Sequence, residues 1–245
     1  MECFGWDGVG VPDKEKDDAR RAFQSLPEVG AEEVARVEDL AAQLALAGDV
    51  LHTVGYVTRL EAASDARVAV QMTGELARGV VTPLSTGNWY AGLALVRQLL
   101  EVQYLLAAFA REPSSIGGWR RSTKADRTGG GRFAPATLRQ AGMFRDDDYW
   151  NHCERGGHPT PLGVFLVRFE GSDESDDAIG RGLGWRDAAN HLLQVTNEVV
   201  DVSAALDLGE LIGPDLDSAV WSVAEWLARD ADTLSRVTRP PPSDP

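Results

Sequence analysis

The sequence predicts an all-α protein, a bundle of four to six main helices joined by long loops. Three observations carry this. Several stretches of more than twenty residues keep their apolar side chains at helical spacing, and no stretch sustains the period-two alternation of a half-buried strand. Clusters of Gly, Pro, Ser and Asp separate these stretches. A hydrophobic content of 43% over 245 residues is enough to build a core for one domain of this size.

Residues 1–29 read as an N-terminal extension rich in Gly, Pro and charge, with a short helical candidate over Asp13–Gln24. Residues 30–237 read as one helical domain. Its first strong helix opens near Ala31, where Glu32 and Glu33 suit the positive end of the helix dipole, and Val34, Val37, Leu40 and Leu44 keep the period. Gly48 and Gly55 are expected to kink it. A second helix runs from Ser64 to about Val81, where Thr82-Pro83 should stop it. The third, Asn88 to Arg111, is apolar on nearly every face, which places it at the centre of a bundle.

Residues 111–145 form a basic insertion, with 114–133 reading as loop and short helices at Pro135–Gln140 and Asp146–Glu154. Thr160-Pro161 has the form of a helix start, and an acidic loop follows Phe169. Two long helices complete the domain, one from Trp185 to about Leu208 and one from Pro214 to about Val237. Residues 238–245, rich in proline, are expected to be a disordered tail.

Composition narrows the function classes. Two cysteines, Cys3 and Cys153, cannot supply a disulfide framework, and Asp7, Asp13, Glu15, Asp17 and Asp18 leave the first twenty residues without an apolar leader. The most apolar stretch, Leu93–Ala110, is interrupted by Arg97, Gln98 and Glu101. The expectation is a cytoplasmic chain that does not cross a membrane. A net charge of −14 argues against general coating of nucleic acid. Charge is uneven, however: eight basic and two acidic residues give residues 111–145 a charge of +6 and leave −20 for the rest. Within that segment Arg120, Arg121, Lys124, Arg127 and Arg132 are interleaved with Trp119 and Phe133, and Phe144 follows. Aromatic faces beside arginine suit stacking and phosphate attraction in single-stranded RNA. A fold-back onto the acidic body would use the same charges.

Three further constellations carry candidate chemistry. Arg97 and Glu101, four apart on the central helix, share a face and must pair with each other or with polar groups from elsewhere. Between Tyr149 and Pro161 lies the densest polar and aromatic cluster, including His152 and a His158 held on a stiff turn by Gly156-Gly157 and Pro159. Arg97, Glu101, Tyr149 and His158 could together line a pocket for a small molecule or an anion. Zinc would accept His152, Cys153, Glu154 and His158, with His191 as a further ligand, but their spacing fits no standard zinc signature, so no metal or cofactor is expected. Lastly, Arg186-Asp-Ala-Ala-Asn-His191 opens a long helix with a phosphate-binding side chain and a proton-transfer side chain.

Arg186 and His191 resemble the R-x(4–6)-H motif of HEPN-type ribonucleases, helical bacterial proteins of toxin–antitoxin and antiphage systems. Asp187 matches the polar residue that often follows the arginine there, and Arg145 with His152 fits the longer spacing. The resemblance covers this hexapeptide and the helical layout. It implies a metal-independent endoribonuclease acting as a homodimer, with Arg186 on the scissile phosphate and His191 moving the proton of the ribose 2′-OH. Residues 89–161, through Arg97, Glu101, Tyr104, Tyr149 and His158-Pro159, also resemble a class of bacterial helical-bundle proteins with no established activity. The alternative expectation is a non-catalytic interaction or sensor module with a protein partner.

Overall fold

The computed structural model describes residues 25–154 and 174–238. The chain is all-α, and the described residues contain no strand. Five long helices carry the architecture: α1 (Ala31–Thr58), α2 (Glu61–Ser85), α3 (Trp89–Arg111), α8 (Glu174–Ala205) and α9 (Gly209–Thr238). Among the described residues four short ones lie between α3 and α8: α4 (Ser115–Arg120), α5 (Lys124–Arg127), α6 (Pro135–Ala141) and α7 (Asp146–His152).

The long helices close into a ring in which α1 packs on α2, α2 on α3, α3 on α8, α8 on α9, and α9 back on α1. Short connections enforce this order. Arg59 takes a left-handed conformation (φ 58°) between α1 and α2, Gly87 (φ 78°) turns the chain into α3, and Asp207 (φ 58°) links α8 to α9. Asn88 caps α3, its side chain accepting from the Ala91 amide at 3.1 Å. Because α4, α6 and α7 cover the side of α3 that α2 and α8 leave open, Leu93, Val96, Leu99, Leu100, Leu106 and Phe109 are all buried. That is the outcome an all-round apolar helix requires. By length and composition alone, α1 and α3 are also apolar enough to cross a membrane.

Several boundaries differ from the sequence expectation. Helix α1 runs unbroken through Gly48 and Gly55, whose use is close approach to α2. A Cβ on Gly55 would stand 2.7 Å from the Ser64 amide nitrogen, and one on Gly74 would stand 2.6 Å from the Ala45 Cα. Flanked by Ala41, Ala63, Ala66 and Ala69, these positions let two backbones nearly touch. Pro83 does not stop α2, which continues to Ser85; a proline two residues from the end removes one helical hydrogen bond and leaves the preceding turns intact. Helix α8 begins at Glu174, so part of the expected acidic loop is helix. Helix α9 begins at Gly209 and holds Pro214 inside it, because Ile212 and Leu216 are both buried on one face. The predicted loop 114–133 contains α4 and α5, the latter started by Thr123, which accepts from the Asp126 amide while Asp126 accepts from the Thr123 amide. The helix expected from Thr160-Pro161 lies outside the described residues.

Candidate metal centre

Helix α7 places Asp148 and His152 four residues apart, and α8 places Asp187 and His191 at the same spacing, so each pair shares one helical face. The two faces meet. His152 Nε2 lies 2.8 Å from His191 Nε2, with the rings nearly perpendicular at 83°. Both carboxylates reach this point: Asp148 Oδ1 is 3.7 Å from His152 Nε2 and 3.8 Å from His191 Nε2. Asp187 Oδ1 is 3.7 Å and 3.6 Å from the same two nitrogens.

Burial is graded across the cluster. His191 is 2% exposed and His152 7%, while the two aspartate side chains are each 39% exposed. The imidazoles therefore form a dry floor and the carboxylates a rim open to solvent. The floor is fixed by α8, where Trp185, Ala188, Ala189, Leu192 and Val195 are buried around His191. On the α7 side, Phe144 packs on Tyr104 at 4.6 Å between centroids, and Tyr149 packs on it at 6.4 Å, holding α7 against α3. His191 Nδ1 is buried and has no hydrogen-bond partner among the described residues.

Two neutral imidazoles at 2.8 Å can share one proton, and a carboxylate on either side favours any positive charge placed between them. A divalent metal ion meets the same demand more fully. Tetrahedral coordination at roughly 2.0–2.1 Å sets ligand atoms roughly 3.3 Å apart, and Asp148, His152 and His191 each bring one ligand atom within 4.8 Å of the other two, at 2.8, 3.7 and 3.8 Å. Two nitrogen donors and a carboxylate form the ligand class of zinc and its first-row neighbours, and Asp187 Oδ1 stands beside both nitrogens.

The Tyr149 face of α7 builds a separate network. Arg97 Nη1 donates to Glu101 Oε1 at 2.8 Å and to the Tyr149 hydroxyl at 3.4 Å, and that hydroxyl donates to Glu101 Oε1 at 3.2 Å. Burial, reinforced by Glu101 and opposed by Arg97, raises the Tyr149 hydroxyl above its ordinary pKa. Burial works against the Arg97 charge, but Glu101 and Tyr149 outweigh it and the guanidinium is held more firmly protonated than usual. Cys153, buried, interacts with this network. The structure thus joins Arg97, Glu101 and Tyr149 in one hydrogen-bonded network. His158 lies outside the described residues.

Arg186 and His191 part company. Arg186 Nε donates to Asp230 Oδ2 at 2.7 Å, its Nη2 donates to the Pro27 carbonyl at 2.8 Å, and its guanidinium lies 5.9 Å from the Trp226 ring centre. His191 turns instead to His152. Removing the Asp230 carboxylate would leave a guanidinium that is 13% exposed without its counter-ion. Asp230→Ala is therefore expected to cost about 3–5 kcal/mol in urea unfolding, and pairing it with Arg186→Met should recover most of that loss. A double variant no more stable than Asp230→Ala would show that the pair matters for something other than charge compensation.

The basic segment folds back on acidic groups at several points. Arg120 lies 3.7 Å from Asp65, Arg132 3.0 Å from Glu112, Arg139 2.8 Å from Asp146, and Arg145 pairs with Asp147. Arg127 donates to the Ser122 carbonyl at 2.6 Å. Arg121 and Lys124 are exposed. Of the interleaved aromatics, Phe133 is buried, Trp119 packs edge-on against Phe109 at 5.5 Å, and Phe144 covers Tyr104. All three contribute to the core.

Compared with known proteins, the chain matches no protein-family model, no curated protein and no solved structure.

From the sequence, His152 and His191 fell in one possible zinc set with Cys153, Glu154 and His158, which its spacing argued against, and His191 was also grouped with Arg186. Asp148 and Asp187 were missed as ligands. The available signal was the repeat of one spacing, Asp-x-x-x-His, on two predicted helices.

Proposed function

We propose that this protein binds a divalent transition-metal ion of the zinc type through His152, His191 and Asp148, with Asp187 beside the ion, and that the bound metal is its working centre. The observation that supports this is the approach of two imidazole nitrogens to 2.8 Å between two carboxylates on separate helices. A zinc-type ion held there with one position open would lower the pKa of a bound water to roughly 7 and so supply a nucleophile at neutral pH. The solvent-facing rim suits that chemistry: with both imidazoles and one aspartate as ligands, the second aspartate is placed to take the water's proton. Hydrolysis is the reaction class this favours.

This reading departs from the expectation of a metal-free site, and it fits the geometry better than a ribonuclease built on Arg186 and His191, whose polar ends face different helices. The test is calorimetric titration of EDTA-stripped protein with zinc chloride. One ion per chain should bind, and His152→Ala and His191→Ala should each abolish the heat. Wild-type protein that binds zinc no better than either variant would remove the proposal. RNA cleavage that persists in EDTA but disappears in His191→Ala would favour the metal-independent ribonuclease instead.

A further inference from the structure

Between α1 and the start of α9 runs an apolar groove of about 400 Å³. Leu46, Val50, Thr53 and Val54 form one wall, Leu211 and Ile212 the other. Leu46 is 51% exposed and Leu211 57%, and beyond the groove on α1 Val57 is 71% exposed. Leu46, Val50, Thr53 and Val57 follow one another at intervals of four, three and four residues. That is the spacing of the a and d seam of a coiled coil, carried over eleven residues, or roughly 16 Å of helix. A seam of this kind buries its apolar side chains only when a second helix lies along it.

Charge specifies the occupant. No Lys or Arg occurs between Val37 and Thr58, and none between Asp187 and Ala228, the stretches that supply both walls. The exposed rim carries Asp49, Glu210 and Asp217. A second copy of this chain on the same face would set acidic rim against acidic rim. A helix with basic residues flanking its apolar stripe would meet complementary charge along both edges. We infer that this groove is the docking site for an amphipathic helix of a partner protein, apolar along one stripe and lysine- or arginine-rich on either side of it. The site lies apart from the metal centre and does not depend on it.

The experiment uses the full chain and a fluorescein-labelled 21-residue helical peptide with Leu at every a and d position and Lys at e and g. Fluorescence anisotropy should show binding that weakens at higher salt. Leu46→Gln with Leu211→Gln should weaken it at least tenfold while circular dichroism stays unchanged, and replacing the peptide's Lys with Glu should do the same. Val57→Gln, at a more exposed position, gives a second variant should the first fold poorly. The proposal is overturned if the variants bind like wild type or the Glu peptide binds equally well. It is overturned too if light scattering finds a wild-type dimer that Leu46→Gln dissociates, for then the groove is covered by the chain itself.

Discussion

Zinc added to metal-stripped protein is expected to raise its melting temperature by about 5–10 °C at a hundredfold excess over Kd. The estimate follows from linkage: an ion that binds only the folded chain contributes ~2.7 kcal/mol at that excess, and each kcal/mol moves the midpoint of a chain this size by about 2–4 °C. The ligands come from α7 and α8, segments separated by residues 153–173, so the site is not pre-formed in an unfolded chain. The four side chains should not contribute equally. His152→Ala and His191→Ala remove the buried donors and should eliminate the shift. Asp148→Asn and Asp187→Asn keep shape and lose charge, and should reduce it. Differential scanning fluorimetry across zinc concentrations checks both statements. A zinc shift of full size in His191→Ala would place the ion elsewhere.

The second large effect lies in the helix pair α1 and α2. Gly74→Ala is expected to destabilise by about 2–4 kcal/mol, against the usual sign of such a change. Alanine is favoured over glycine within a helix by roughly 0.8–1.0 kcal/mol. Here the added methyl would stand 2.6 Å from the Ala45 Cα and 2.9 Å from its amide nitrogen, backbone atoms that move only if the helices part. Overpacking of that kind costs about 1–3 kcal/mol or more, and repacking spreads along the Gly48 and Gly55 contacts. Gly79→Ala is the internal control. Its new methyl would meet only the Leu95 Cδ1 at 2.9 Å, the end of a flexible side chain. That variant should be neutral or stabilised by up to about 1 kcal/mol. Urea unfolding of both separates the two effects, and equal stability for Gly74→Ala and wild type would mean the backbones stand further apart.

These glycines show where the sequence was legible and where it was not. Apolar periodicity located α1, α2 and α3 and the long C-terminal helices, because a helix that buries one stripe must repeat it along the chain. Gly48 and Gly55 suggested a kink for the same local reason, since their value as contacts depends on α2, which periodicity within α1 cannot reveal. Proline misled at 83 and 214 because tertiary burial of Leu84, Ile212 and Leu216 outweighs one lost hydrogen bond. The centre was half legible. His152 and His191 stood out as residue types able to bind metal or move protons, but the fold chooses which side chains lie next to them. His191 is paired not with Arg186, five positions away, but with a histidine 39 residues distant.

The solitary Nδ1 of His191 bears on how long an ion would stay. Ligating imidazoles ordinarily donate their second ring nitrogen to an acceptor that orients the ring, and losing such a partner weakens affinity by about 10–100-fold. Coordination through Nε2 would put a hydrogen on a buried Nδ1 with no acceptor among the described residues. Release would be correspondingly fast. Occupancy would then rise and fall with the surrounding supply, so that the protein exchanges its ion readily where a fully braced centre would keep it.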